Sequence, residues 1–360
     1  MSKRTPWTRS CWSRIVIVAA LSTGIPTYGY AETMDVRVMA MVMSEWEARP
    51  WLAGLSPTQD VTVPGMPQPV RCTREGVCLA ILGEGPLSAA GSVMSLGLSP
   101  SLDLSHSYVL LAGIAGTDPT MATIGSVVWA DWVVDADSVA AVHPADLPDD
   151  WEFPRFRKWC SKSWCEDSWG VGAFRLNPTL VQRAMSLSEA ATLLDDAKAQ
   201  AARARYSQEK AKRAPSVLVC SSLSGATYWH GPRMSEWARW WVGHWTEETG
   251  RYCVTNEEDF AAYAVLQRLS LEGRVDVDRV MVLRGASNFD QPYAGQTTVQ
   301  SLEMKNADPE LAIENVWRVA RAVIHEMMVP GIGGGAVEEG HEADETRTSW
   351  RKLAHQVRHH

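Results

Sequence analysis

The chain has 360 residues with 46% hydrophobic and 21% charged residues, an ordinary globular composition that excludes a disordered or collagen-like protein. Its 34 Lys and Arg residues against 42 Asp and Glu residues give a formal net charge of −8. Such acidity argues against binding to nucleic-acid phosphates or to anionic membrane surfaces. These values favour an acidic globular protein that acts on a small molecule.

The N-terminus has the three parts of a secretory signal. Residues 1–31 contain four basic and no acidic side chains, and an apolar run occupies 15–21. The small residues Gly29 and Ala31 stand at positions −3 and −1 relative to a cleavage site after Ala31. This order predicts export to the periplasm or the cell exterior with cleavage after Ala31. Without those four positive charges, the net charge of −8 becomes −12. A membrane anchor is the alternative, but the run is broken at 22–26, short of the roughly 20 apolar residues of a span.

The rest of the chain is predicted to form one domain. Its later apolar runs are as short as strands, so we expect no transmembrane span. The domain is predicted over 32–330, with a Trp- and Cys-rich insertion at about 150–170. A flexible tail is predicted over 331–360, because it begins with a glycine-rich, acidic stretch.

Apolar runs alternate with helix-start signals along the chain. Strands are predicted at 36–43, 108–112, 127–134, 217–220 and 280–283. Helices are predicted to begin at 44–47 and to span 88–98, 256–271 and 308–328, and a helical region is predicted over 177–206. Residues 113–116 are interpreted as a glycine turn, and the aromatic-rich stretch 229–245 as a loop insertion. Uninterrupted apolar strands alternating with helices predict a three-layer α/β fold, with a central, mainly parallel mixed sheet and helices on both faces.

Six cysteines follow the predicted signal, and an even number in an oxidising compartment indicates disulfides. Sequence alone leaves the connectivity open. The spacing favours two short loops and one long-range pair: Cys72 with Cys78, Cys160 with Cys165, and Cys220 with Cys253. Zinc binding is the alternative, but no CxxC pair or histidine cluster accompanies these cysteines.

Polar residues are concentrated where the predicted strands end, which is where ligands bind in α/β folds. The candidates are Glu45, Glu47, Glu258 and the stretches 113–118, 228–231 and 284–290. Each has a structural alternative: the glutamates and Asp259 as helix caps, the tryptophans as packing residues, and His230 as a structural histidine. GxSxG, GxxxxGK[ST], HExxH and complete GxGxxG motifs are absent from the sequence.

Eight short blocks of the sequence resemble the purine nucleoside permease family, whose fold resembles that of nucleoside phosphorylases and nucleosidases. They include Ala-Gly-Ile-Ala-Gly at 112–116 and Glu-Glu-Asp at 257–259, and they occur in order at 43–47, 63–65, 83–90, 109–116, 125–130, 228–231, 253–259 and 282–290. The resemblance implies a nucleoside phosphorylase-like fold, purine nucleosides as ligands and a homo-oligomer, as is common among relatives of this superfamily. It implies no metal and no resident cofactor.

The same resemblance assigns roles to individual residues. Glu258 corresponds to a glutamate that binds the ribose hydroxyls. Glu45, or alternatively Glu47, corresponds to the glutamate that positions the attacking water. Asn288 corresponds to the aspartate or asparagine that contacts N7 of the base.

Five further residues are expected in the substrate site. Gly113, Ile114 and Ala115 would back the ribose or the nucleophile, and Trp229 and Ser287 would contact the substrate.

Two departures from the superfamily pattern bear on the reaction. Asn288 has an amide where an aspartic acid would donate a proton, which suggests 6-oxopurine recognition or binding without efficient turnover. The glycine-rich stretches at 83–85 and 113–116 contain no arginine for a phosphate, and Glu84 would repel one. Hydrolysis of the N-glycosidic bond is therefore the favoured prediction. Phosphorolysis with phosphate as co-substrate, and a non-catalytic nucleoside-binding component of transport, are the alternatives.

Overall fold

The computed structural model describes residues 33–147, 149, 153–157, 172–303 and 307–328. All of them belong to one structural unit, Thr33–His360. The predicted signal at 1–31, the tail at 331–360 and the Cys160–Cys165 pair lie outside the described residues, as does most of the insertion at 150–170. The predicted domain boundaries therefore stay predictions.

Fourteen strands occur in the described part of the chain. They are β1 (Met34–Asp35), β2 (Val38–Val42), β3 (Gln59–Val61), β4 (Val70–Cys72), β5 (Val77–Ile81), β6 (Leu102–Asp103), β7 (Tyr108–Thr117), β8 (Val127–Asp135), β9 (Val139–Ala141), β10 (Arg155–Arg157), β11 (Ala173–Arg175), β12 (Val217–Ser224), β13 (Tyr252–Asn256) and β14 (Val280–Phe289). All five predicted strands are present.

Eight α-helices accompany the strands in the same ranges. They are α1 (Glu45–Leu55), α2 (Pro86–Leu98), α3 (Pro178–Ser188), α4 (Ala197–Arg203), α5 (Pro232–Trp245), α6 (Asp259–Leu271), α7 (Thr298–Leu302) and α8 (Pro309–Met327). The helical region predicted over 177–206 contains two separate helices, α3 and α4. None of the helices in the described ranges is both long enough and apolar enough to cross a membrane.

The central sheet is mixed and has ten strands. Nine follow the order β11-β8-β12-β13-β7-β2-β5-β4-β3, and β14 pairs with both β7 and β8. The five strands β8, β12, β13, β7 and β14 therefore close into a ring. Parallel pairs run through β5-β2-β7-β14 and β8-β12-β13, and antiparallel pairs close the ring and extend the edges. The predicted three-layer α/β fold with a mixed sheet is confirmed.

The helices form two groups against this sheet. Helix α8 contacts α1, α3 and the strands β7, β8 and β14, whereas α2 packs on α6. The strand β2 is buried along its whole length, as expected for a strand covered on both faces. This burial holds the carboxyl ends of β2 and β7 side by side, because the two strands are parallel partners.

Two sequence interpretations need correction. Residues 113–116 do not form a turn, because β7 continues to Thr117 and pairs with β14 along that stretch. The stretch 229–245 is not a loop insertion, because most of it is α5. Trp237 and Trp241 are fully buried on this helix and pack on each other with ring centroids 5.5 Å apart. The packing interpretation of these tryptophans is confirmed.

Two of the predicted disulfides lie in the described residues, and both are formed. Cys72–Cys78 joins neighbouring strands, and Cys220–Cys253 joins β12 to β13 within the ring. These four sulfurs are therefore not zinc ligands. The long-range pair fixes two strands that lead directly into the candidate site.

Candidate functional site

A cavity of about 330 Å³ lies at the carboxyl ends of β2, β7, β12, β13 and β14. Its size is at the lower end of the range typical of small-molecule sites. Six of the predicted site residues line it: Ile114, Ala115, Trp229, Glu258, Ser287 and Asn288. The parallel strands explain this convergence, because their ends meet at one edge of the sheet.

Glu47, and not Glu45, belongs to this cavity. Ser44 and Glu47 form a capping box at the start of α1, which turns Glu47 inward and leaves Glu45 exposed. The side chain of Glu45 accepts a hydrogen bond from Gln68 and is not part of the cavity lining. Glu45 and Glu47 are two residues apart in the helix, so their carboxylates lie on different faces. This geometry decides which of the two belongs to the site, a choice that the sequence left open.

The Glu47 carboxylate is held by backbone amides from two elements. Its Oε2 accepts from the N–H of Met43 at 2.8 Å, and its Oε1 accepts from the N–H of Ile114 on β7, also at 2.8 Å. Burial raises the pKa of Glu47, and the charge of Glu258 raises it further, against the opposing effects of Arg284 and of these amides. A buried carboxylate of raised pKa is more basic and suits a general base.

Arg284 is the centre of a group of charges that we call the arginine cluster: Glu47, Glu258, Asp259 and Arg284. The guanidinium is 1% exposed and donates to Asp259 Oδ1 at 2.6 and 2.9 Å and to Glu258 Oε2 at 3.2 Å. A further N–H donates to the carbonyl of Ile114 at 3.2 Å. One buried cation thus contacts two buried carboxyl groups, an arrangement that offsets the cost of burying charge.

Glu258 does not cap its helix. The amides of Glu258 and Asp259 donate to Asn256 Oδ1, and the Glu258 side chain instead accepts from the Gly85 amide at 3.1 Å and from Arg284. Glu258 occupies the N-cap position of α6, but its side chain makes no capping hydrogen bond. Its carboxylate lines the cavity and retains acceptor capacity for hydroxyl groups.

Gly113 lies behind the lining rather than in it. A Cβ at this position would stand 2.5 Å from Arg284 Nη1 and 2.8 Å from Glu47 Oε1. The absent side chain is what allows these two groups to approach β7 so closely.

Ser287 and Asn288 lie at the end of β14. The Ser287 hydroxyl is 2.9 Å from Asn288 Oδ1 and 3.1 Å from the carbonyl of Ala115. Asn288 Nδ2 donates to the carbonyl of Phe289 at 3.1 Å. The amide is therefore held in one orientation at the cavity surface.

Trp229 and His230 have different positions. Trp229 is 9% exposed, lines the cavity and packs near Tyr252, with ring centroids 6.1 Å apart. His230 is not part of the lining; its Nε2 hydrogen-bonds with Ser301 Oγ, and burial lowers its pKa.

Sequence reasoning missed the place of two residues in the site. The sequence indicates Arg284 only as the first residue of the strand-end stretch 284–290, and in the structure it is the buried cation of the arginine cluster. Asp290 was noted only as the end of a strand-end stretch, and it lines the cavity two residues after Asn288. The signal that pointed to both was their presence in the block at 282–290.

The lining is strongly acidic. Glu84 and Glu257 also face the cavity, and burial, together with the charges of Glu258, Glu84 and Asp137, raises the pKa of Glu257. Within the described ranges, no three His, Cys, Asp or Glu side chains form a group able to hold a metal ion. The prediction that the protein uses neither metal nor cofactor stays a prediction.

The fold defines the class of protein. Futalosine hydrolase of Helicobacter pylori, in a mutant form, superimposes with a TM-score of 0.53 at 14% identity, over 81% of this chain and 99% of the other. The 5′-methylthioadenosine/S-adenosylhomocysteine nucleosidase of the same organism gives 0.51 at 15% identity, over 81% and 100%. The chain has the fold of these nucleosidases.

Sequence comparison then gives the family. The family described as purine nucleoside permease (NUP) matches residues 35–329. A probable purine nucleoside permease of Schizosaccharomyces pombe is 31% identical over 336 residues, covering 87% of this chain and 96% of that protein. A purine nucleoside permease of Candida albicans is 27% identical over 347 residues, covering 88% and 83%. This chain belongs to the purine nucleoside permease family.

Proposed function

We propose that this protein binds purine nucleosides and hydrolyses their N-glycosidic bond to a free base and ribose. The observation that carries the proposal is the arginine cluster: two buried carboxylates, Glu47 and Glu258, face one cavity beside the end of β7. Breaking the bond develops positive charge on the sugar, which such carboxylates stabilise. The names of the relatives and the nucleosidase fold support a nucleoside as the ligand.

Each residue has a role in this proposal. Glu258 accepts hydrogen bonds from the ribose hydroxyls, and Glu47 takes the role that the resemblance first assigned to Glu45, orienting the attacking water and accepting its proton. Asn288 hydrogen-bonds to the base. Ser287 and Trp229 complete the substrate contacts together with the strand segment at 113–115.

Water is favoured over phosphate as the nucleophile because of the charges around the cavity. Arg284 is the arginine of the described lining, and its N–H groups are engaged by Glu258, Asp259 and the Ile114 carbonyl. The carboxylates of Glu84 and Glu257 would repel a phosphate.

Product analysis tests the proposal. The purified protein is incubated with inosine, guanosine and adenosine, with and without phosphate, and the products are separated. We expect free base and ribose in phosphate-free buffer. Ribose 1-phosphate formed only with phosphate present would show a phosphorylase instead.

A matched pair of variants tests the role of Glu47. Glu47→Gln keeps the shape of the side chain and removes its basicity, so kcat should fall by about 10²–10⁴. Glu45→Gln, two residues away and outside the cavity, should keep the wild-type rate. Equal rates for the two variants would remove Glu47 from the mechanism.

A second candidate function is nucleoside binding without turnover, as a component of transport. The family name and the amide at Asn288 favour it. Saturable binding of intact inosine by calorimetry, with no product after prolonged incubation, would establish this function and overturn the hydrolase.

Export and self-association are also proposed. The order of basic, apolar and small residues in 1–31 supports a cleaved signal. Mass spectrometry of the protein secreted by its own host should show an N-terminus at Glu32. Light scattering of the same material should show a homo-oligomer.

A further inference from the structure

Asp290 is a buried carboxyl group of the cavity that the proposed roles do not use. It directly follows β14, lines the cavity together with Asn288 and is 1% exposed. Its backbone is fixed on both sides, because its N–H donates to the carbonyl of Thr117 and its carbonyl accepts from the N–H of Gly231. The backbone of Asp290 is thus fixed between β7 and the residue that precedes α5.

Two hydroxyl groups donate hydrogen bonds to one of the two carboxyl oxygens of Asp290. Tyr252 donates to Asp290 Oδ2 at 2.7 Å, and Ser235 donates to the same atom at 3.0 Å. The Ser235 oxygen itself accepts from Arg239 at 3.0 Å and from Gln291 at 3.2 Å, so its hydrogen is left for Asp290. We call Ser235, Tyr252 and Asp290 the aspartate cluster.

The other oxygen, Oδ1, is buried and has no hydrogen-bond partner among the described residues. Because Oδ2 already accepts two hydrogen bonds, a proton on this carboxyl group belongs on Oδ1. An unpaired buried O–H group is costly, and its cost is relieved when a ligand in the cavity supplies an acceptor.

The charges around Asp290 keep that proton in place. Burial and the charge of Asp118 together raise the pKa of Asp290 to about 8, against the opposing effects of the hydrogen bonds from Tyr252 and Ser235 and of the charge of Arg239. Arg239 forms an ion pair with Asp118 at 2.7 Å. Tyr206 and Tyr228 are the other titratable groups that interact with Asp290, and burial raises the pKa of both, so they are neutral at pH 7.

We propose that Asp290, in place of an acid at position 288, is the proton donor to the departing purine. This inference rests on the proposed hydrolysis. The C1′–N9 bond breaks and its electron pair passes to the purine, while the Asp290 Oδ1 proton is transferred to N7. The water oxygen forms the new bond to C1′ and its proton passes to Glu47. Solvent then returns a proton to Asp290 and removes one from Glu47.

Asn288 and Asp290 divide the work that one aspartic acid would do. The Asn288 amide orients the base by hydrogen bonding and cannot transfer a proton. Asp290, which is more deeply buried in the cavity wall than Asn288, supplies the proton. The chain therefore retains an acid at the base despite the amide at Asn288.

Substrates with different leaving groups provide the first test. Asp290→Asn should lower kcat/KM for inosine by about 10²–10⁴, because a purine needs protonation to depart. The leaving group of 4-nitrophenyl β-D-ribofuranoside is a stable phenolate that departs without protonation. For this substrate the loss of kcat/KM should be less than about tenfold. The control Asp135→Asn changes a buried aspartate that does not line the cavity and should leave both rates as in the wild type.

Each outcome of this test has a distinct meaning. Equal losses with both substrates, or no loss with inosine, would overturn the role of Asp290 and leave the hydrolysis standing. Absence of hydrolysis of both substrates by the wild-type protein would overturn the proposed function itself, and the role of Asp290 with it.

The pH dependence of kcat/KM provides a second test. The pH at which the rate falls does not depend on how much of a variant is folded. The wild-type kcat/KM should fall above about pH 8, where Asp290 loses its proton. Tyr252→Phe removes a hydrogen bond to the anion and should move this limb up by about 0.5–1 pH units, whereas Asp118→Asn removes a repelling charge and should move it down by a similar amount. A limb that stays in place in both variants would show that another group titrates.

Discussion

The arginine cluster and the aspartate cluster lie around one cavity and differ in the groups that contact their buried carboxyl groups. Glu258 and Asp259 contact the guanidinium of Arg284 directly. Asp290 contacts two hydroxyl groups, and the nearby cation Arg239 is paired with Asp118. The first arrangement places a cation in direct contact with the carboxyl groups. The second gives Asp290 only neutral donors, and its pKa is raised to about 8.

The difference shows that burial alone does not decide the state of a carboxyl group. Burial disfavours the charged form of a carboxyl group, and a cation in direct contact opposes that effect. In the proposed hydrolysis, which needs a base at the sugar and an acid at the purine, carboxyl groups would fill both roles. The position of Arg284, which belongs to the arginine cluster alone, distinguishes the proposed base from the proposed acid.

The largest expected effect comes from removing that arginine. Arg284→Met leaves Glu258 and Asp259 buried without a cation, so the free energy of unfolding should fall by about 3–5 kcal/mol. The control Arg49→Met breaks an exposed pair with Glu310 and should cost less than about 1 kcal/mol. Urea denaturation of both variants measures the difference. Equal costs would mean that Arg284 does not stabilise the arginine cluster.

The aspartate cluster should make stability depend on pH. An ordinary aspartate in the unfolded chain has a pKa of about 3.9, and that of folded Asp290 is raised to about 8, so the folded state holds its proton more tightly. The stabilisation from this proton is complete below about pH 4 and is lost as the pH rises to about 8.

Asp290→Asn should remove this dependence. Relative to the wild type, the variant should gain free energy of unfolding steadily between pH 4 and pH 8, as measured by denaturation at several pH values. A constant difference between the two proteins over that interval would contradict a protonated Asp290.

A smaller effect is expected where the arginine cluster meets β7. Gly113→Ala places a methyl group against Arg284 Nη1 and Glu47 Oε1, which should cost about 1–3 kcal/mol of stability and lower kcat as the two groups shift. The control Gly91→Ala changes a glycine of α2 with open space around it and should stabilise the protein by up to about 1 kcal/mol. Thermal unfolding and initial rates measure both. An unchanged Gly113→Ala protein would show that the cluster is not tightly fitted to the strand.

The smallest effect concerns the acidity of the lining outside both clusters. Glu84 is exposed, so Glu84→Gln should tighten binding of adenosine 5′-monophosphate only about two- to fivefold and leave adenosine binding unchanged. Calorimetry at low and high salt should show the effect vanishing at high salt. Glu75→Gln, a control outside the cavity, should leave both affinities unchanged. An equal gain in that control would mean that the effect is non-specific.

Much of the fold followed from local sequence patterns. The apolar runs of β2, β8 and β12 predict strands because a strand covered on both faces is rich in apolar residues. The helix starts at Ser44, Asn177 and Asp308 were recognised because such side chains satisfy free amides at a helix N-terminus.

Other assignments failed where local pattern and tertiary pairing disagree. Glycines at 113 and 116 suggested a turn, but strand pairing with β14 keeps the segment extended and a close approach by Arg284 requires the missing side chain. The tryptophans of α5 suggested a loop, although they repeat at helical spacing and fill a core.

For the candidate site, the sequence by itself determined which residues are present at the strand ends, including Glu258, Ser287 and Asn288. Only the tertiary structure decided between Glu45 and Glu47, because that depends on how the first turn of α1 faces β7. It also decided the partners of Arg284 and Asp290, which come from segments distant in sequence. Charge state in a protein interior is a property of neighbours in space, and the order of residues along the chain does not contain it.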